Sequence, residues 1–180
     1  PVDLGSGDFG ILNYAYALEQ LEAAFYTKVI ETPFTGITDA EKALLTDIRD
    51  HEIAHREFFK NALGANAIPE LTVDFSTITF TDRNSVLNTA KAFEDLGVSA
   101  YNGAGKLISS AAYLGLAGKI VSVEARHAAW IRDIISNGTF ADNTAIDANG
   151  LDLAKDPKDV IPVANTYLIT KIGGNNLPTA

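Results

Sequence analysis

The chain has 180 residues, 47% of them hydrophobic, which is enough for one domain with a substantial core and too short to expect two. Its net charge of −9, from 23 acidic and 14 basic residues, argues against a phosphate-backbone ligand, which needs a clustered basic surface, so no nucleic-acid partner is expected. No run approaches the roughly 18 apolar residues of a membrane span, and without cysteine any metal would be held by His, Asp and Glu.

The spacing of Leu12, Ala15, Leu18, Leu21, Phe25 and Val29 predicts a first helix, A, from Phe9 to Ile30, closed by Pro33 and Gly36. A capping box, Thr38 with Glu41, opens helix B, which continues through Ile48, Phe58, Phe59 and Leu63 to a stop at Gly64. Residues 65–82 change character: alternation and β-branched residues from Leu71 to Phe80 indicate an extended connection. Helix C, capped by Asp82 or Asn84, carries Val86, Leu87, Ala90, Phe93, Leu96 and Tyr101 and weakens at Gly103 and Gly105. Helix D runs from Ala111 through Ile120, Val123, Trp130 and Ile134 to Asn137-Gly138. Residues 1–137 thus form an all-α bundle, and 138–180, rich in Asn, Asp, Gly and Pro, a C-terminal tail packed on it, with one short helix after Asp156-Pro157.

Topology follows from reach. A helix of about 25 residues is roughly 37 Å long, and eighteen extended residues at about 3.3 Å each can span it. Short A–B and C–D links make two antiparallel pairs, and the crossover joins them along the bundle's length.

Two Glu-x-x-His motifs stand out, Glu52-Ile-Ala-His55 on helix B and Glu124-Ala-Arg-His127 on helix D. Helix A carries Glu19 and Tyr26 seven apart, and helix C carries Glu94 and Tyr101 seven apart, a spacing roughly 20° short of two turns that keeps each pair on one face. Aromatic residues follow both histidines by three, Phe58 and Trp130, so the chain repeats a helix pair. A pair of divalent cations inside a bundle wants carboxylates to bridge and balance charge and imidazoles to complete each coordination sphere. Four Glu and two His meet that need. The same carboxylates buried without cations would repel and pay for desolvation.

The pattern resembles the ferritin-like dimetal-carboxylate superfamily, and is most similar to its bacterial branch associated with desiccation and stress. The wording L-E-Q-L-E-A-A-F-Y at 18–26 and V-E-A-R-H-A-A at 123–129 is part of that resemblance. It implies a ferritin-like four-helix bundle with Glu19, Glu52, His55, Glu94, Glu124 and His127 as ligands of two divalent Fe or Mn ions. It also implies Tyr26 and Tyr101 as the candidates for a catalytic contribution, donating hydrogen bonds to the carboxylates across the site. The implied chemistry is ferroxidase-, peroxidase- or catalase-like, on O2 or hydrogen peroxide, with homo-oligomers among the expected assemblies. The alternative is a non-catalytic stress-related protein whose dimetal site is structural or vacant. The opening Pro1 in place of Met reads as a processed chain, and with the bacterial resemblance leads us to expect export to the periplasm or beyond.

Several residues admit a second reading. His51-Glu52-x-x-His55 is a zinc-protease string, but its extended form fails at Phe58 and Asn61, and the repeat has Val123 where His51 stands. Glu22 rivals Glu19, Asp95 rivals Glu94, and His51 reads as a surface or outer histidine. Tyr26 and Tyr101 also suit a core role, Arg56 and Arg126 suit solvent or an outer carboxylate, and Asn137-Gly-Thr139 matches a glycosylation sequon.

Overall fold

The computed structural model describes residues 1–179. Four long helices, α1 (Gly7–Glu31), α2 (Asp39–Leu63), α3 (Arg83–Gly105) and α4 (Ala111–Ile135), are followed by a short α5 (Pro157–Ala164). The closest packing is of α1 on α2 and of α3 on α4, and residues 67–82 carry the chain from the first pair to the second. Among the described residues no helix is long and apolar enough to cross a membrane.

The helix ends follow their sequence signals. Thr38 and Glu41 form the reciprocal capping box, and Asp82 caps α3 by accepting from the Ser85 N–H at 2.7 Å. The Glu41 carboxylate also accepts from Arg83 at 2.7 Å, which ties the start of α2 to the start of α3. Gly64 ends α2 with φ of 54°, a left-handed conformation that costs glycine least.

Helix α1 is buried around most of its circumference, and two polar residues on it serve the crossover. Asn13 accepts from the Ile68 N–H at 2.9 Å and donates to the Asn66 carbonyl at 2.9 Å. Gln20 accepts from the Leu71 N–H at 2.8 Å. These contacts satisfy backbone groups that an extended segment lying on a core would otherwise leave unpaired. The crossover therefore needs no sheet, and among the described residues its one ladder contact is an antiparallel bridge from Val73 to Leu168. Phe75 and Phe80 pack on Phe25 of α1, with ring centroids 6.0 and 5.9 Å away.

The tail closes over the α1–α3 side. Val160, Ile161 and Ala164 of α5 are buried, and Tyr167 meets Phe93 of α3 edge to face at 4.7 Å. Val2–Asp3 (β1) pairs in parallel with Ile172–Gly173 (β2), a contact between chain ends with no local signal in the sequence.

Candidate metal centre

Along α2 the inward positions read Leu45, Ile48, Glu52, His55, Phe59, Leu63; along α4 they read Ile120, Glu124, His127, Ile131. This is the spacing of a core-facing helical stripe with a carboxylate and an imidazole set into it. Glu19 on α1 and Glu94 on α3 interrupt apolar faces in the same way. All four glutamates are essentially inaccessible, and His127 and His55 are 5% and 13% exposed.

The six side chains meet at one level of the bundle. His55 Nδ1 lies 2.8 Å from Glu124 Oε1 and 3.5 Å from Glu19 Oε2. His127 Nδ1 lies 2.9 Å from Glu52 Oε1, 3.3 Å from Glu124 Oε2 and 3.4 Å from Glu94 Oε2. Two groups result, Glu19, Glu52, His55 and Glu124, and Glu52, Glu94, Glu124 and His127, each with donor atoms within 4.8 Å of one another. Glu52 and Glu124 belong to both.

Distance alone would make these contacts hydrogen bonds, yet their directions do not. Both oxygens of Glu52 and of Glu124, Glu19 Oε2, Glu94 Oε2 and Nδ1 of both histidines have no hydrogen-bond partner among the described residues. Buried polar atoms are almost always paired. Eight orphaned atoms facing a common volume fit a set of metal ligands, whose lone pairs aim at a cation and not at each other.

The remaining oxygens of the single carboxylates are paired, and crosswise. Tyr26 on α1 donates to Glu94 Oε1 on α3 at 2.5 Å, and Tyr101 on α3 donates to Glu19 Oε1 on α1. Each tyrosine fixes the carboxylate of the opposite helix and leaves its second oxygen facing the centre. Burial and the neighbouring Glu94 carboxylate keep the Tyr26 hydroxyl protonated, so it remains a donor.

The electrostatics describe a cluster that needs positive charge. Burial pushes Glu52 well above the usual carboxylate range, with the Glu124 charge adding to it, and pushes Glu94 up to about 7. Burial also opposes ionisation of Glu124, but its contacts with His127 and His55 outweigh that and hold it at about 2. Burial disfavours both imidazolium ions, yet the surrounding glutamates raise His55 and His127 to about 12. Protons thus stand in for cations when none is bound.

Of the rivals, Asp95 faces away and holds the buried Arg132 guanidinium with contacts at 2.7 and 2.8 Å. Arg56 pairs with its neighbour Glu57, and Arg126 is exposed. His51 lies outside both ligand groups; its Nδ1 is 2.9 Å from His127 Nε2, so the H-E-x-x-H string does not place two histidines on one ion. Glu22 is buried, as Glu19 is, but it turns toward α3, where its Oε1 lies 3.2 Å from the position a Cβ on Gly97 would take. Its environment was not legible in the sequence, because the cue is the missing side chain on another helix.

No curated protein matches the chain. The family model for the ferritin-like domain matches residues 7–137, which include all four long helices and every side chain of the cluster, and the chain belongs to that family.

Proposed function

We propose that the protein holds two divalent Fe or Mn ions between its helix pairs and acts on O2 or hydrogen peroxide, in ferroxidase-, peroxidase- or catalase-like chemistry under oxidative or desiccation stress. The observation that carries this reading is the convergence of eight unpaired donor atoms from four Glu and two His on one buried volume. Four carboxylates bring a charge of −4, which two M²⁺ ions neutralise, and a mixed N/O donor set suits both Fe and Mn. When bound, the ions would supply redox change and open positions for a small oxidant.

The chain's own residues do the rest. Tyr26 and Tyr101 orient the outer carboxylates, and the apolar stripes above and below the cluster keep bulk water out. At the edge of the site, burial, then the charges of Glu52 and Glu94, push the Glu22 carboxyl well above the usual carboxylate range while no ion is bound. Its Oε1 is unpaired, and a cavity of about 10 Å³ beside it, walled by Leu18, Phe93 and Gly97, is close to the size of one water.

The test is metal content per chain by elemental mass spectrometry on protein purified without chelator, followed by O2 and peroxide consumption. About two Fe or Mn per chain, with turnover lost in Glu52→Ala, is the expected result. Two ions with no turnover would leave a structural role for the centre, and a single Zn or no metal would sink the reading.

A further inference from the structure

The two halves of the cluster repeat each other in ligands but not in surroundings. His127 Nε2 faces His51 Nδ1 at 2.9 Å, with the two rings within 6° of parallel. The repeat places Val123 where His51 stands, and an isopropyl group offers His55 no acceptor. The other differences run the same way. Tyr26, which holds Glu94, is fully buried, whereas Tyr101, which holds Glu19, is partly exposed and borders an apolar cavity of about 20 Å³ together with Phe58 and Phe59. His55 is also more exposed than His127.

An imidazole that gives Nδ1 to a metal must carry its hydrogen on Nε2. On His127 that hydrogen has an acceptor in His51, so the ring is held in place and Nε2 keeps its hydrogen when Nδ1 gives up its own to a metal. His55 has no such partner from the equivalent position, where Val123 supplies no hold on its ring or on its Nε2 hydrogen. Outer hydrogen bonds of this kind change metal affinity by about 10–100-fold.

Resting on the dimetal reading, we infer that the two metal positions are unequal, and that His51 is the positioning residue that makes the Glu94–His127 position the tighter. The Glu19–His55 position, whose tyrosine is the more exposed one and borders the apolar cavity, is the looser and more open.

Titration of Co²⁺ into chelator-treated full-length protein tests this, followed by d–d absorption and calorimetry. Wild type is expected to bind two ions in resolved steps. His51→Phe, which keeps a ring but removes the acceptor, should weaken the first step about 10–100-fold, and His51→Gln, whose amide oxygen can accept, should recover part of the loss. As a gain-of-function partner, Val123→His should tighten the second step and bring the two together. Two ions bound with indistinguishable steps in wild type, or with both steps unchanged in His51→Phe, would overturn the inference and leave the dimetal reading standing. No Co²⁺ bound by wild type would overturn both.

Discussion

Tyr26 and Glu94 sit on different helices and are joined by a hydrogen bond of 2.5 Å in which neither atom reaches solvent. The bond stitches α1 to α3 at the level of the cluster, and its acceptor is one of the few oxygens there that is paired at all. Tyr26→Phe keeps the ring packing and leaves Glu94 Oε1 buried without a donor. We expect a loss of about 1–3 kcal/mol in urea unfolding, the usual cost of such an orphan. Tyr101→Phe should cost less, because that tyrosine is less completely buried than Tyr26. Equal, negligible losses for the two variants would contradict this account.

The pH dependence of stability should invert when metal is bound. In the metal-free protein Glu94 is held at about 7 against an ordinary 4.5, so between those values the unfolded chain gives up a proton that the folded one keeps, and stability falls as pH rises. The His55 and His127 contributions are complete below 6.5 and are lost as pH rises toward about 12. Glu124, held at about 2, works the other way: its contribution is complete above 4.5 and is lost as pH falls through 2. Thermal melts of metal-free protein should therefore show a falling Tm from pH 5 to pH 8. Metal binding needs the deprotonated ligands, so at a fixed Mn²⁺ concentration about 100 times the Kd at pH 7 the gain should be about 2.7 kcal/mol for each ion bound, roughly 5–10 °C apiece, and it should grow with pH as the Kd falls. A metal-free Tm that rises from pH 5 to pH 8 would show that the cluster does not hold these protons.

Much of this was readable from the chain itself. The four long helices, the Thr38–Glu41 capping box and the Asp82 cap follow from local periodicity and from side chains that act within one turn. Glu52, His55, Glu124 and His127 could be singled out because their i, i+3 spacing fixes a common face, and Glu19 and Glu94 because each repeats against a tyrosine seven residues on. What escaped depends on distant partners. Arg132, buried against Asp95 and Asp142, looks like any charged residue near a helix end. Asn13 and Gln20 become informative only once the crossover lies across them. His51 looked peripheral because its contact with His127 joins two helices whose relative register no local pattern encodes.

Gly103 shows how closely the tail approaches the bundle. A Cβ there would fall 1.9 Å from the Lys155 carbonyl oxygen, and next to it the Lys155 N–H donates to the Ser99 carbonyl at 2.9 Å. Backbone meets backbone, so no side chain can rotate away. Gly103→Ala should push residues 153–156 off α3 and cost about 1–3 kcal/mol, as overpacking does. We expect faster proteolysis between Leu153 and Ala164, with metal stoichiometry unchanged because no member of the cluster lies on the tail. A variant as protease-resistant as wild type would show that the approach can relax.

Glu22 and Gly97 occupy matching places in the repeat, the carboxyl of one filling the space where the other has no side chain. Burial is the main reason that Glu22 holds its proton, with Glu52 and Glu94 next. Above pH 4.5 the unfolded chain releases that proton and gains hydration that the folded chain forgoes, so the native carboxyl lowers stability as pH rises. Glu22→Gln has the same shape and nothing to ionise. It should match wild type near pH 4, where both are neutral in either state, and exceed it at pH 8 by a margin that widens steadily between. Gly97→Ala makes the converse case: its new methyl, 3.2 Å from Glu22 Oε1, needs the carboxyl to yield by a few tenths of an ångström. Urea unfolding of metal-free wild type and Glu22→Gln at pH 4, 6 and 8 decides the matter. A stability difference that does not change with pH would mean that Glu22 ionises in the folded protein, and that the proton assigned to the edge of the metal centre is not there.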